Sequence, residues 1–259
     1  MSTRISAAFA GMRGAQRKGL VAFVTAGDPS LERTVEVALE MAQGGVDVLE
    51  LGVPFSDPLA DGPVIQRSSE RALGKGTTLK GVLQAVRAIR RQSALPLVLF
   101  SYFNPLLRYG LERLAAEAAE AGVDGVLVTD LPPEEADEWL ALARGAALDT
   151  IFLAAPTSPD ERLRRVAAAS RGFVYAVSRT GVTGEQQRLS DDARPLLDRL
   201  RRLTDEPLAL GFGIATPEQV AEATAVADAA VVGSALVRFL EEQPQGDVAE
   251  RVRWLRSRT

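Results

Sequence analysis

Three acidic side chains lie close together in the segment LELGVPFSDPLADGPVIQ, residues 49–66. Glu50 lies inside VDVLELGV, an apolar stretch that predicts a buried strand, whereas Asp57 and Asp61 lie in the proline-containing loop that follows. A buried carboxyl group without a basic partner has a raised pKa, because water no longer stabilises its charged form. Such a group can exchange protons near neutral pH, so this segment indicates acid–base chemistry.

Each of these acids also has a structural interpretation. Glu50 could be a buried carboxylate paired with a base, but the only basic residue on the central predicted strands is Arg179. The acid–base interpretation of Glu50 is therefore favoured. Asp61 could instead be the N-cap of a short helix through 64–73, and Asp57 could be a turn residue. The residues alone do not decide whether Asp57 or Asp61 is the second acid.

The composition narrows the chemistry further. The chain has 259 residues with neither histidine nor cysteine, which excludes histidine-containing triads, histidine-ligated zinc and thiolate catalysis. Proton transfer must therefore use Asp, Glu, Tyr or Lys, and no metal-binding set of residues is evident.

Charge and hydropathy limit the partners and the location. The net charge of −4 disfavours nucleic-acid binding, and the arginines near the C-terminus, at 251, 253, 256 and 258, have the spacing of a solvated helix face. The N-terminal segment has no continuous apolar region of the signal-peptide type, and no apolar run is long enough to cross a membrane. These features predict a cytoplasmic protein.

Short apolar strands alternate with amphipathic helical patterns along the whole chain. Eight strands are predicted, at 20–27, 46–53, 96–102, 125–131, 150–156, 172–179, 207–214 and 228–234. Eight such units without a linker favour one (β/α)8 (TIM) barrel domain over 1–259, with an extra N-terminal helix, rather than an open doubly wound sheet. The second and sixth units are longer than the others, so the loops after strands 2 and 6 are expanded at the catalytic end of the barrel.

Helix ends are marked by capping residues. Ser158 and Thr216 each precede a Pro, with Glu or Gln three residues later, which predicts N-caps. Glycines at 44–45 and at Gly122 predict C-caps.

Glycines at the ends of the last two strands predict an anion site. Gly211 and Gly213 end strand 7, and Gly233 and Ser234 end strand 8 and open a helix. Backbone N–H groups and the helix dipole at such positions bind phosphate, although tight turn geometry is an alternative explanation of the glycines.

Two other features complete the candidate site. The loop 179–190, with Thr183 beside Gly184, has the composition of a lid, although an ordinary exposed loop would look similar. Aromatic and leucine side chains on the strands could line a flat apolar pocket for an aromatic ligand, namely Phe23, Phe100, Tyr102, Leu127, Leu153, Tyr175 and Phe212.

At these residues the chain resembles the tryptophan synthase alpha subunit family from end to end. The motifs that carry the resemblance are FVTAGDP (23–29), ELGVPFSDPLADGP (50–63), NPLLRYG (104–110), DLPPEE (130–135), APTSPDER (155–162), SRTGVTG (178–184), GFGI (211–214) and VVGSAL (231–236). The second motif is highly specific. Thr129, Val64 and 185–187 depart from common family residues, and none of them touches the two acids of the second motif.

The resemblance implies a lyase that cleaves indole-3-glycerol phosphate into indole and glyceraldehyde 3-phosphate. It implies that Glu50 handles the protons at indole C3 and at the glycerol hydroxyl, and that Asp61 stabilises positive charge at the indole N–H. It also implies substrate-binding roles for the other site residues, which are Phe23, Tyr102, Tyr175, Thr183, Gly184, Gly211, Phe212, Gly213, Gly233 and Ser234. No cofactor is expected in this chain, since pyridoxal phosphate belongs to the beta subunit, the expected partner in an α2β2 heterotetramer.

Three other functions compete with this interpretation. A free-standing indole-releasing lyase would share the chemistry without a partner, and a non-catalytic barrel would act only as an activator of its partner. A sugar-phosphate isomerase or epimerase on the same barrel is a more distant possibility, and those that need histidine are excluded.

Overall fold

A sheet of nine parallel strands lies at the centre of the molecule, in the computed structural model that describes residues 3–177, 192–211 and 213–259. The strands are β1 (Gly19–Thr25), β2 (Val48–Gly52), β3 (Leu97–Ser101), β4 (Gly125–Val128), β5 (Asp149–Ile151), β6 (Leu153–Ala154), β7 (Val174–Val177), β8 (Leu208–Gly211) and β9 (Ala229–Val232). Their near-continuous burial is typical of parallel strands that are covered on both faces.

The strand order is β5-β4-β3-β2-β1-β9-β8-β7-β6, and only Phe152 separates β5 from β6 in the chain. The two short strands are therefore halves of the predicted fifth strand. One half pairs with β4 and the other with β7, and the Phe152 carbonyl also accepts a hydrogen bond from Tyr175 N at 3.1 Å. The ring closes through this strand, which confirms the predicted (β/α)8 barrel.

Helices pack around the strands. Those in the described residues are α1 (Arg4–Gly14), α2 (Leu31–Gly44), α3 (Pro63–Gly74), α4 (Leu79–Arg90), α5 (Phe103–Tyr109), α6 (Leu111–Ala121), α7 (Asp137–Gly145), α8 (Asp160–Ala169), α9 (Ala193–Arg201), α10 (Pro217–Val226), α11 (Ser234–Glu242) and α12 (Val248–Leu255). None of them combines the length and apolar character that a membrane-spanning helix needs.

Helix α1 closes the N-terminal end of the barrel, as the expected extra helix. Its buried residues Ile5, Phe9 and Met12 join the apolar cluster inside the barrel. The contact is close, because a Cβ atom added at Gly125 would lie 3.0 Å from Cδ1 of Ile5. One end of the barrel is thus filled by side chains, and the opposite end, where the strands finish, is left for a site.

The expanded segment after β2 contains a complete additional helix. Helix α3 precedes α4, the crossover helix that leads to β3. The N-cap of α3 is Gly62, which rules out the alternative in which Asp61 is the N-cap. Asp61 instead lies one residue before the cap, with its side chain buried.

The predicted helix ends were right at most of the marked positions. Gly45 and Gly122 adopt the left-handed conformation at C-caps, and Thr216 forms a capping box with Gln219. Ser158 is not an N-cap, however, because the N-cap of α8 is Pro159 and the helix begins at Asp160.

Candidate active site

A pocket opens at the C-terminal ends of the strands, and it encloses about 680 Å³ of empty space, part of it open to solvent. Its lining residues come from six strands, from the loops that follow strands and from the first turns of α3 and α11, namely Phe23, Glu50, Ala60, Asp61, Ile65, Phe100, Thr129, Leu153, Tyr175, Gly213, Ile214, Val231, Gly233 and Ser234.

Strand alternation directs Glu50 into the barrel. On β2, Leu49 and Leu51 belong to the apolar layer under the helices, whereas Val48 belongs to the cluster inside the barrel. Side chains two residues apart on a strand share a face, so Glu50 points inward with Val48. Glu50 therefore occupies an inward position one layer above the interior cluster, facing the pocket.

The Glu50 carboxyl group is buried, and no hydrogen bond within the described residues replaces its lost contact with water. Its side chain is 1% exposed, and neither carboxylate oxygen has a hydrogen-bond partner in the part of the chain that the structure describes. Burial raises the pKa of Glu50 from 4.5 to about 8, because the charged form loses its hydration. Glu50 is consequently protonated at neutral pH and able to donate a proton into the pocket.

Asp61 is the second acid of the pocket, and it differs from Glu50 in having a partner. The Tyr102 hydroxyl donates a hydrogen bond to Asp61 Oδ2 at 3.0 Å and accepts one from Ala60 N at 2.9 Å. Burial raises the pKa of Asp61 to about 6, and the hydrogen bond from Tyr102 lowers it in part. Asp61 is therefore mostly ionised at neutral pH, while Glu50 is not.

The structure separates the two aspartates that the residues alone left equivalent. Asp57 is exposed and accepts a hydrogen bond from the Ser56 hydroxyl at 2.6 Å, on the outer side of the loop. Asp61 is 6% exposed and lines the pocket. Only Asp61 can reach a ligand bound beside Glu50.

Tyr175 on β7 also faces the pocket, and Gly211 on β8 makes room for it. A Cβ atom added at Gly211 would lie 2.3 Å from Tyr175 Oη, so the ring occupies the space of a side chain there. Gly211 is not among the residues that line the pocket, and it shapes the site by leaving room for Tyr175. Its role in substrate binding stays a prediction. The pKa of Tyr175 is raised by burial and by the nearby acids Glu50 and Asp61, which keeps its hydroxyl neutral.

The predicted anion-binding end of the pocket lies at the start of α11. Gly233 is the N-cap of this helix and Ser234 is its first residue, and both line the pocket. A glycine cap has no side chain to cover the first N–H groups, so these groups and the helix dipole are available to an anion. Gly213, with φ of 80°, lines the same region and has the left-handed backbone that favours glycine.

Aromatic and aliphatic side chains form the middle of the pocket. The Phe23 and Phe100 rings meet edge to face, with their centroids 5.1 Å apart. Leu127, which could have lined the pocket, lies instead in the interior cluster below it. Tyr102 follows the strand rather than lying on it, and it contributes through its hydroxyl group.

Several residues that line the pocket were not predicted as site residues from the sequence, namely Ala60, Ile65, Thr129, Ile214 and Val231. Ile65 could have been found, because a residue four positions after Asp61 at a helix start faces the same side. Thr183, Gly184 and Phe212, together with the whole of the predicted lid 179–190, lie outside the described residues. Within the described ranges, no group of three or more acidic residues is arranged to hold a metal ion.

Comparisons with known proteins identify the family. The sequence model described as tryptophan synthase alpha chain matches residues 9–257. The chain belongs to the tryptophan synthase alpha chain family. It is therefore a member of a lyase family of tryptophan biosynthesis.

Individual relatives agree with this assignment over nearly the full length. The tryptophan synthase alpha chain of Solibacter usitatus is 53% identical over 248 residues, covering 96% of this chain and 93% of that one. The alpha chain of Geotalea uraniireducens is 50% identical over 250 residues, covering 96% and 94%.

Solved structures of the family share the barrel. A structure of Mycobacterium tuberculosis tryptophan synthase superposes with a TM-score of 0.93 at 38% identity, covering 99% of this chain and 98% of that one. The alpha subunit from Legionella pneumophila has a TM-score of 0.89 at 34% identity, covering 100% and 97%.

Proposed function

We propose that the chain cleaves indole-3-glycerol phosphate to indole and D-glyceraldehyde 3-phosphate in a retro-aldol reaction. The observation that carries the proposal is the pair of buried acids with different protonation states, Glu50 and Asp61, in one apolar pocket that ends at a helix N-terminus. Such a pocket accommodates a ligand that has an aromatic ring, an atom that exchanges a proton with an acid, and a phosphate group.

Binding follows from the shape of the pocket. The indole ring packs among Phe23, Phe100 and Leu153, and the phosphate accepts hydrogen bonds from backbone N–H groups at Gly213 and from the start of α11. Thr183, Gly184 and Phe212 remain proposed substrate-binding residues on the basis of the sequence motif.

The chemical steps use the two acids in different roles. Protonated Glu50 donates a proton to indole C3, which becomes tetrahedral and leaves positive charge on the ring nitrogen. The Asp61 carboxylate, close to the indole N–H, stabilises that charge. The Glu50 carboxylate then removes the proton of the glycerol hydroxyl next to the ring, the carbonyl forms, and the electrons of the broken C–C bond restore the aromatic indole. Glu50 ends the cycle protonated, as it began.

The proposal includes a beta-subunit partner that condenses the released indole with serine and holds pyridoxal phosphate. Exposed apolar side chains near the pocket mouth support a docking surface there, since Leu59 is 85% exposed after β2 and Leu107 is 54% exposed after β3. The α2β2 assembly, the single domain over 1–259 and the cytoplasmic location remain predictions.

The experiment is steady-state cleavage of indole-3-glycerol phosphate by the isolated chain. We expect Glu50→Gln and Asp61→Asn each to lower turnover by at least about 100-fold, the scale of losing an acid–base group. Asp57→Asn is the matched control, because Asp57 lies in the same loop and is exposed, and it should retain parental turnover. Near-normal turnover by both pocket variants would contradict the assignment.

Adding a cognate beta subunit distinguishes the subunit from a free-standing lyase. A subunit should show weak cleavage alone and a sharp rise when the partner is present, whereas a free-standing enzyme should be fully active alone.

A further inference from the structure

Helices α3 and α11 both begin at the pocket, and polar side chains farther along the two helices join them again. Asp61 immediately precedes the cap of α3, and Gln66 Nε2 donates to the Asp61 carbonyl at 2.8 Å, so Asp61 moves with the first turn of α3. Ser234, at the proposed phosphate end, is the first residue of α11. The relative orientation of the two helices therefore sets the distance between the second acid and the phosphate-binding end.

The middle of α3 is attached to β1. The hydroxyl groups of Thr25 and Ser68 are hydrogen-bonded at 2.6 Å in a fully buried contact, and Ser68 Oγ also donates to Ile65 O at 2.8 Å. Val64 and Ile65 pack with Val237 of α11 above this point. Ser68 thus provides a fixed position about which α3 could tilt.

One turn farther along α3, Arg71 joins three elements. Its guanidinium binds Asp28 through two hydrogen bonds, Nε to Oδ1 at 3.0 Å and Nη2 to Oδ2 at 2.7 Å, in the loop after β1. Its Nη1 donates to Glu241 Oε1 at 2.8 Å, near the end of α11. Arg67 adds a second contact to Glu241, at 3.2 Å. We call the group Asp28, Arg71 and Glu241 the arginine clamp.

The clamp is remote from the substrate but acts on the pocket through helix geometry. At 1.5 Å per residue, Arg71 lies about 12 Å along α3 from Pro63, and Glu241 about 10 Å along α11 from Ser234. Measured from Ser68, the pocket end of α3 is about 7.5 Å away and Arg71 about 4.5 Å away on the other side. In a rigid helix, a shift of roughly 0.6 Å at Arg71 would therefore move the Asp61 end by about 1 Å, and a misplacement of that size can cost about 100-fold in rate.

We infer that Arg71 is a positioning residue, which holds α3 and α11 in one orientation and so sets the separation between Asp61 and the phosphate-binding end of the pocket. The inference rests on the proposed function, since it assigns one ligand to both ends. A residue with this role affects ligands that span the pocket more than ligands that occupy one end of it.

Two ligands can be used as probes to distinguish an effect on the whole pocket from an effect on one end of it. Glycerol 3-phosphate occupies the phosphate end alone, and indole-3-propyl phosphate, which has no hydroxyl groups and cannot be cleaved, spans both ends. We expect Arg71→Met to weaken binding of indole-3-propyl phosphate by at least about 10-fold, which corresponds to the loss of one hydrogen bond to a charged group. Binding of glycerol 3-phosphate should weaken by less than about 2-fold. Both dissociation constants are measured by titration calorimetry, with kcat for indole-3-glycerol phosphate expected to fall by about 10- to 100-fold.

Further variants keep the test independent of folding defects. Arg71→Lys keeps the charge but not the fork that reaches both carboxylates, so it should lie between Arg71→Met and the parent protein. Glu241→Gln should resemble Arg71→Met, and the double variant should be no worse than the more affected single variant. Arg165→Met, which removes an exposed ion pair with Glu161 on α8, is the matched control and should bind both probes as the parent does.

The outcomes are distinct. Equal loss of both probes in Arg71→Met would mean that Arg71 only supports the phosphate site, and unchanged binding of both would mean that the clamp has no role; either overturns the inference. A parent chain that neither cleaves indole-3-glycerol phosphate nor binds the spanning probe would overturn the proposed function, and the inference with it. An active parent with an unaffected Arg71→Met variant overturns the inference alone.

Discussion

The buried carboxyl group of Glu50 should make the barrel less stable as the pH rises, and Glu50→Gln should remove that dependence. The pKa of Glu50 is about 8 in the folded protein against 4.5 for the exposed group. Between these pH values the folded chain binds more protons than the unfolded chain, so the free energy of unfolding falls as the pH increases. The cost is absent below about pH 4.5, where the carboxyl group is protonated in both states.

The size of the effect follows from the shift. One pKa unit corresponds to about 1.4 kcal/mol, so the raised pKa of Glu50 lowers the free energy of unfolding by about 3 kcal/mol at pH 7 and by about 5 kcal/mol above pH 9. Glutamine has a similar volume and stays neutral, so it avoids this cost. We expect Glu50→Gln to match the parent chain near pH 4 and to exceed its free energy of unfolding by about 3 kcal/mol at pH 7.

Urea unfolding at a series of pH values between 4 and 9 measures this difference. Glu222→Gln, at an exposed position on α10, is the matched control and should show a small difference that does not change with pH. A constant difference between Glu50→Gln and the parent would refute the reasoning, since it would mean that the folded protein stabilises the Glu50 charge. The expected result would mean that a protonated Glu50 in the pocket makes the folded barrel less stable than it would be with glutamine at this position.

Two further predictions concern Tyr102 and α1. Tyr102→Phe removes the hydrogen bond that lowers the pKa of Asp61, so that pKa should rise from about 6 by about one to two units, and the acid limb of the pH–rate profile should move upward by the same amount. Tyr109→Phe, on α5, should leave the profile unchanged, and an unshifted limb in Tyr102→Phe would show that its hydroxyl does not stabilise the Asp61 carboxylate. Ile5→Ala should lower the free energy of unfolding by about 2–5 kcal/mol in urea melts because it empties a buried site, whereas Leu73→Ala, at a partly exposed position, should cost much less; equal costs would contradict the role of α1 as the closing helix of the barrel.

The order of elements was predictable from the sequence because each signal is local. Apolar runs of strand length between amphipathic segments led to the barrel, and glycines at 45 and 122 marked helix ends through their left-handed conformation. The importance of Glu50 was also visible, since a carboxylate inside an apolar strand violates the surrounding pattern.

Local sequence patterns did not give the right prediction where two local structures were equally compatible with the same residues. Ser158 and Thr216 begin similar motifs, but only Thr216 caps its helix, because α8 starts at Asp160 and leaves Ser158 outside. The fifth strand was predicted as one continuous strand. In the structure it is interrupted at Phe152, between the half that pairs with β4 and the half that pairs with β7.

The sequence by itself determined which residue types were available for catalysis, and without histidine or cysteine it restricted proton transfer largely to carboxylates such as Glu50. The residue types left Asp57 and Asp61 equivalent, and only the resemblance to a family favoured Asp61. The tertiary structure separates the two physically, because Asp61 is buried in the pocket and Asp57 is exposed. The arginine clamp was likewise invisible in the sequence. Arg71 and Glu241 are far apart in the chain, and their contact exists only because the closed barrel brings α3 against α11.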